Sequence, residues 1–185
     1  MKVYPKSLLH PLVLLFCLLF TVNSQARQQG NDLRIVLIRH AEKASAGPEL
    51  SCQGINRSKA LPPVLHAKIG LPVIIYVPQS SATQHARMRQ TILPFTEKYH
   101  LPLNDDYKVG DIKGVAKNIR KQTGTVLVVW EHKSLVDIAK QLGVKEELNW
   151  DADDFDSIWI ITFSKKGKAR LAIDQEGLHP SAKCP

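Results

Sequence analysis

Residues 33–42, LRIVLIRHAE, decide the fold. Residues 33–38 form a short apolar run rich in β-branched side chains, which predicts a strand buried on both faces, as in parallel sheets covered by helices. Arg39 and His40 follow directly, at the carboxyl end of that strand. In open α/β sheets ligands bind at this edge, so we expect a functional site there.

Similar apolar runs recur along the chain and alternate with segments of helical spacing. The predicted strands are residues 33–38, 73–77, 125–130, 158–163 and, more weakly, 169–173. The predicted helices are residues 53–69, 80–100, 112–122 and 134–142, with Gly143 as a stop. Pro62 and Pro63 are expected to kink or split the first helix, and Pro94 the second. The alternation predicts a parallel or mixed sheet covered by helices on both faces.

The length and composition fit one globular domain. The chain has 185 residues, of which 44% are hydrophobic and 23% charged, which excludes coiled-coil, collagen-like and disordered classes. A formal net charge of +8 indicates a surface that attracts phosphates, nucleic acid or acidic lipid, without choosing among them.

Residues 1–26 have the layout of a secretory signal peptide. Lys2 and Lys6 precede an apolar run over residues 11–22, and small or polar residues follow up to Ala26. The run is too short to span a bilayer, so cleavage after Ser24 or Ala26 is preferred to an uncleaved anchor. We therefore expect a secreted or periplasmic protein whose single domain covers residues 33–185.

Cysteine usage adds one open question. Cys17 lies in the predicted leader, so the mature chain retains Cys52 and Cys184. Two cysteines in an oxidising compartment can pair, but their separation in sequence does not show whether they meet.

Two histidines leave the sheet at the same edge. His40 follows the first strand, and His132 lies in Glu131-His132-Lys133 after the strand at residues 125–130. Either histidine alone is more simply a structural imidazole. Together, with Arg39 and Lys133 available for a dianionic phosphate, they suit phosphoryl transfer, which needs charge neutralisation and in-line positioning.

A further cationic element lies in the second predicted helix, at residues 87–91, RMRQT. The guanidinium of Arg87 can hold two phosphate oxygens at once. For Arg89 we favour a solvated helix face.

These motifs, taken together and in order, resemble a known family. LIRHAE at 37–42 is similar to its Arg-His-Gly-Glu signature, LSCQGINR at 50–57 to its Leu-Ser/Thr-x-x-Gly segment, and RMRQT to its Arg-Ala-x-Gln-Thr segment. Residues 126–132 resemble the strand that delivers its second histidine. The family is the histidine phosphatase superfamily, which includes phosphoglycerate mutases. The context of His132 and the acidic residues 153–157 look like a secreted bacterial branch.

The resemblance implies a fold and a set of roles. The fold is an α/β, three-layer α/β/α sandwich with a mostly parallel central sheet, phosphoglycerate mutase-like. His40 would become phosphohistidine, and Arg39, Arg87 and His132 would form the phosphate pocket. Arg57 would be a further ligand, and Glu42 would orient Arg39 or His40. The family works without a metal or an organic cofactor.

Two departures from the family pattern concern the chemistry. Ala41 replaces the usual glycine, and the second histidine lies in Glu-His-Lys rather than Ser-His-Gly or His-Asp. The proton donor is therefore open among Glu131, Asp105 and Asp106. Glu131 reaches the pocket only if its strand has already ended, since neighbours on a strand point to opposite faces.

The expected function is a secreted or periplasmic phosphomonoesterase that acts on a small phosphorylated substrate through phosphohistidine. The alternatives are a catalytically weak or inactive anion-binding member of the same fold, and a basic envelope protein that grips polyanions. We expect no nucleic-acid partner and no stable membrane insertion after the leader is cleaved.

Overall fold

Strands and helices alternate along the chain, as the apolar runs predict. The structure is a computed structural model that describes residues 1–2, 33–81 and 84–185, so all but the first two residues of the predicted signal peptide lie outside the described residues. The elements are β1 Arg34–Arg39, α1 Cys52–Ile69, β2 Ile74–Tyr76, α2 Ala86–Tyr99, β3 Leu103–Asn104, α3 Ile112–Ile119, β4 Thr125–Trp130, α4 His132–Gln141, β5 Ser157–Phe163 and β6 Ala169–Gln175.

The strands form one mixed sheet in the order β3-β2-β4-β1-β5-β6. The first four strands in that order run parallel to one another. At the other edge β5 is antiparallel to β1, and β6 is antiparallel to β5. In the β1–β4 pair Arg39 lies opposite Trp130, so both strands end at the same edge. This confirms the mostly parallel sheet.

Helices cover both faces of the sheet. The buried β1 side chains alternate: Val36 and Ile38 pack with α1 and α2, whereas Ile35 and Leu37 pack with α3 and α4. Since both faces of β1 are buried, its sequence is a continuous apolar run rather than an alternating one. The fold is therefore the predicted three-layer α/β/α sandwich.

The prolines do not split their helices, so the expected split is wrong. Pro62 and Pro63 lie inside the continuous α1, and Pro94 lies inside α2. Each proline removes one backbone donor, but α1 keeps its buried side chains Leu61 and Leu65 packed against α2 and the sheet. Tertiary packing outweighs the local cost here.

Two other boundaries differ from the prediction. The second helix begins at Ala86 rather than at residue 80, because His85 has a left-handed backbone (φ 57°) and Ser81 pairs with Gln84 in an isolated bridge. The two-residue strand β3 was not predicted, since so short a run carries no periodicity.

The C terminus forms a strap across α1. We use the name C-terminal strap for residues 176–184. Cys184 forms a disulfide with Cys52 at the start of α1, so the pairing left open by the sequence is made. The Asn56 side chain donates hydrogen bonds to the carbonyls of Ser181 and Lys183, both at 2.8 Å. Among the described residues, no helix has the length and apolarity needed to cross a membrane.

The first turn of α1 lies directly against the backbone of the β1–α1 loop. The Ser51 N–H donates to the Glu42 carbonyl at 2.9 Å, and the Ser51 hydroxyl accepts from the Gly54 N–H at 3.1 Å. A Cβ on Gly54 would lie 2.2 Å from the Glu42 carbonyl oxygen. Only glycine at position 54 allows α1 to approach the Glu42 carbonyl so closely, and Glu42 lies two residues after His40.

We predict that Gly54→Ala lowers the free energy of unfolding by about 2 kcal/mol or more, because the new methyl group meets rigid backbone. Helix propensity alone predicts the opposite sign, since alanine is favoured over glycine by about 1 kcal/mol. Urea unfolding measures the difference. Gly110→Ala is the matched control, since a Cβ there meets nothing within 4 Å. A Gly54→Ala protein as stable as the wild type would contradict the close approach.

Candidate active site

His40 lies at the carboxyl end of β1 and is almost fully buried, with 4% of its surface exposed. Its N–H donates to the Trp130 carbonyl at 3.0 Å, which extends the β1–β4 ladder by one residue. Its Nδ1 lies 2.7 Å from the Ala41 carbonyl. A carbonyl only accepts, so Nδ1 carries the hydrogen and Nε2 keeps its lone pair.

The surroundings of His40 keep its imidazole neutral. Burial is the main cause, and the nearby Arg39, Arg87 and His132 add to it, so the pKa of His40 falls to about 4. The two histidines predicted to share a pocket are therefore electrostatic neighbours. At neutral pH, His40 presents an uncharged nucleophile among cations.

Arg39 is held in place by the loop before β5. Its Nη1 donates to the carbonyls of Ala152, at 2.5 Å, and Asp154, at 3.1 Å, and its guanidinium carbon lies 3.9 Å from the centroid of the Phe155 ring. The Phe155 ring also lies 6.2 Å from the His40 ring. The Arg39 Nε is buried and has no partner among the described residues. Phe155 is a site residue that the sequence analysis missed.

Thr91 connects Arg87 to the loop that carries His40. The Thr91 hydroxyl accepts from the Ala41 N–H at 2.8 Å and donates to the Arg87 carbonyl at 2.7 Å. The Arg87 N–H donates to the Pro48 carbonyl at 3.1 Å. No carboxylate of the described residues forms an ion pair with Arg87. Its guanidinium therefore remains available to an anion. Thr91 lies within the RMRQT motif, but its role was not predicted.

His132 begins α4, and its pKa is lowered, chiefly by burial and also by Arg39. Its Nδ1 is buried without a partner among the described residues. β4 ends at Trp130, so Glu131 lies beyond the strand, as its candidacy requires. The Glu131 carboxylate accepts from the Ser134 hydroxyl at 2.9 Å and so lies over the first turn of α4, adjacent to His132.

The other two candidate acids are engaged elsewhere. Asp105 forms an exposed ion pair with Arg89 at 2.8 Å, and Asp106 accepts from the Asn104 amide at 2.6 Å. Neither carboxylate has a hydrogen bond or ion pair to His40 or to the arginines beside it among the described residues. The exposure of Arg89 confirms the solvated helix face predicted for it.

Arg57 does not fit its predicted place as a phosphate ligand. Its guanidinium is buried and bonds to three carboxylates: Glu176 at 2.6 Å, Glu42 at 2.9 Å and Asp156 at 3.3 Å. These partners hold its pKa above the ordinary value despite burial. Its donors are used within the protein, so we assign Arg57 a structural role.

The role predicted for Glu42 is wrong for the same reason. Both of its carboxylate oxygens accept from the Arg57 Nε at 3.1 Å, so Glu42 orients Arg57 rather than Arg39 or His40. Arg57 and its three carboxylates, here called the Arg57 cluster, join the β1–α1 loop to the C-terminal strap.

Lys133 lies at the solvent-exposed side of the site. It is exposed, and together with His132 it lines a cleft of about 470 Å³ between α4 and residues 148–152. We therefore place it beside the phosphate pocket rather than in it. The described residues contain no group of three histidine, cysteine or carboxylate side chains arranged to hold a metal ion.

The site therefore gathers two imidazoles and two guanidiniums, Arg39 and Arg87, at one sheet edge. Two of its buried donors or acceptors, the Arg39 Nε and the His132 Nδ1, have no partner among the described residues. Buried polar atoms are nearly always paired, so a polar ligand or a water molecule is expected to complete these two. The positive charge of the arginines indicates a small anion.

Solved structures match this fold at low sequence identity. The protein histidine phosphatase SixA complexed with tungstate matches with 14% identity and a TM-score of 0.56, covering 77% of this chain and 97% of that one. The chain has the histidine phosphatase fold. A phosphoglycerate mutase from Plasmodium falciparum matches with 12% identity and a TM-score of 0.54, covering 83% of this chain and 96% of that one.

A third structure with the histidine phosphatase fold is a mycobacterial glucosyl-3-phosphoglycerate phosphatase, with 15% identity and a TM-score of 0.53, covering 77% of this chain and 97% of that one. No family model and no curated protein matches the sequence. At these identities the likeness establishes the fold. The roles of individual residues rest on the geometry above.

We predict that the His40 imidazole titrates near pH 4, because burial and the adjacent arginines disfavour its charged form. Nitrogen-15 NMR of the imidazoles, assigned by comparison with His40→Ala, gives the midpoint and the tautomer. The Nδ1–H tautomer should persist down to about pH 5. A midpoint at or above 6.5, the ordinary value, would contradict the buried, cation-flanked position.

We predict opposite effects for two arginine variants. Arg57→Gln leaves buried carboxylates unpaired and should lower the free energy of unfolding by about 3–5 kcal/mol. Arg87→Gln should leave stability within about 0.5 kcal/mol but weaken binding of inorganic tungstate about tenfold or more. Chemical denaturation and calorimetry measure the two quantities. If Arg57→Gln were stable and lost only tungstate binding, Arg57 would be a phosphate ligand after all.

Proposed function

We propose that this chain is an exported phosphomonoesterase that transfers the phosphoryl group of a small substrate to His40 and then to water. One observation carries the proposal. His40 is buried and neutral, the Ala41 carbonyl holds its Nδ1, and no described residue bonds to its Nε2, which lies near Arg39 and Arg87. A nucleophile of this kind needs no base to remove a proton.

In the first step the His40 Nε2 attacks phosphorus, the N–P bond forms and the ester P–O bond breaks. The positive charge that develops on the ring is stabilised by the hydrogen bond from Nδ1–H to the Ala41 carbonyl. Arg39, Arg87 and His132 balance the charge on the phosphoryl oxygens. In the second step water attacks phosphorus, and the N–P bond breaks with its electron pair returning to Nε2.

The departing alkoxide needs a proton, and we assign the donor as Glu131. It is adjacent to His132, whereas Asp105 and Asp106 are bonded to Arg89 and Asn104. The Ser134 hydroxyl donates to one Glu131 oxygen, which leaves the other to carry the proton. Water deprotonated by the resulting carboxylate then serves the second step.

The location and the substrate class rest on other observations. The basic and apolar layout of residues 1–26 supports export. Several solved neighbours of the fold are described as phosphatases, and one of them was solved with tungstate, a tetrahedral oxyanion. The likeness to the glucosyl-3-phosphoglycerate phosphatase supports a small phosphorylated substrate for this chain as well.

A second candidate function is anion binding without efficient turnover. It is favoured by the engagement of Asp105 and Asp106, which leaves Glu131 as the one sequence-predicted acid near the pocket, and by Ala41 in place of the family's glycine. Tight binding of vanadate together with no hydrolysis across a broad panel of phosphate monoesters would select this function.

We predict that His40→Ala lowers turnover of an aryl phosphate about a thousandfold or more, because the nucleophile is lost. His179→Ala is the matched control, since His179 is exposed on the C-terminal strap. Rapid quenching of the wild type with labelled substrate should trap an acid-labile phosphohistidine that the variant lacks. Equal turnover by the wild type and His40→Ala would end the proposal.

A further inference from the structure

The cleft beside His132 is the feature that the proposed chemistry leaves unused. It measures about 470 Å³ and lies between α4 and residues 148–152. We call it the leaving-group cleft. Its apolar walls include the half-buried Val136 and Leu148, and its charged groups are Lys133, Asp137 and Asp151.

The leaving-group cleft adjoins the reaction centre through two shared walls. His132 belongs to both the cleft and the surroundings of His40. Ala152 lines the cleft, and its carbonyl accepts from the Arg39 guanidinium. The cleft therefore offers space for the alcohol portion of a phosphate monoester whose phosphorus lies at the His40 Nε2.

The charges in the cleft change sign along its length. Lys133 is next to His132 and continues the cationic phosphate pocket outward. Asp137 lies four residues later on α4, on the same face one turn farther along, and Asp151 lies on the facing loop. None of these three side chains has an ion-pair partner among the described residues. The Asp151 Oδ1 accepts from the Asp153 N–H at 2.9 Å. The other Asp151 oxygen and the Asp137 carboxylate remain available to a cation.

We propose that the leaving-group cleft binds an ammonium group, so that the substrates are phosphate monoesters of small amino alcohols. This rests on the proposed function and deepens it. Arg39 and Arg87 hold the phosphate at one end, and the ammonium lies near Asp137 and Asp151. Val136 and Leu148 contact the short carbon chain between them. A substrate with a carboxylate in place of the ammonium would be repelled by Asp137 and Asp151.

Three two-carbon phosphate monoesters of similar size test whether the cleft prefers an ammonium group: O-phosphoethanolamine, 2-hydroxyethyl phosphate and phosphoglycolate. They end in an ammonium, a hydroxyl and a carboxylate. For the wild-type protein we predict that kcat/KM falls in that order, with ammonium over hydroxyl by about threefold to fivefold, the effect of a partly exposed ion pair.

Asp137→Asn is the decisive variant, because Asp137 is exposed and its substitution spares the core. It should reduce the ratio of kcat/KM for the ammonium and hydroxyl substrates toward one, mainly through KM. Asp151→Asn should act in the same direction. Glu97→Gln, an exposed acid on α2, is the matched control and should keep the wild-type ratio.

The possible results distinguish a failure of the ammonium assignment from a failure of the proposed phosphatase function. A flat order, a preference for phosphoglycolate, or an unchanged ratio in both aspartate variants would overturn the ammonium assignment while leaving the phosphatase intact. The same holds if the wild type hydrolyses an aryl phosphate but none of the three esters. If the wild type hydrolyses no phosphate monoester at all, the proposed function fails and the assignment with it.

Discussion

The parallel pairing of β1 with β4 is the constraint on which the site depends. Arg39 lies opposite Trp130, and the His40 N–H continues the ladder to the Trp130 carbonyl. This pairing brings residues separated by about ninety positions to one edge, where α4 begins at once with His132. A shift of one residue in register would turn the buried side chains of β1 to the wrong faces, so the hydrophobic core fixes the position of His40.

A second layer of interactions holds the β1–α1 loop from behind. The Arg57 cluster connects Glu42 to Glu176, and the C-terminal strap is fastened to α1 by Asn56 and by the Cys52–Cys184 disulfide. One guanidinium faces three carboxylates there, and burial raises the pKa of Glu176 to about 8. The loop that carries His40 is thus bonded, through Glu42 and Arg57, to the C-terminal strap.

The sequence predicted helices on both faces of the sheet and the emergence of His40 and His132 at one edge, because continuous apolar runs mark buried strands and the ends of parallel strands share an edge. The place of Arg87 beside them was implied by the family resemblance alone. The sequence did not predict the partner of Arg57, since Glu176 is 119 positions away and nothing local marks their contact. The predicted start of α2 was wrong because the backbone conformation of His85 depends on its loop. In α1, tertiary packing overrides the local preference of the prolines against a helix. The contacts of Arg39 could not be predicted, because backbone carbonyls accept its hydrogen bonds and every residue has one.

The central claim is that His40 and His132 enclose one tetrahedral anion together with Arg39 and Arg87. A crystal structure of the protein with bound vanadate tests it most directly. We predict vanadium bonded to the His40 Nε2, with oxygens in hydrogen-bond contact with both guanidiniums and with His132. Vanadate bound away from His40, or held at His40 with His132 turned out of reach, would contradict it.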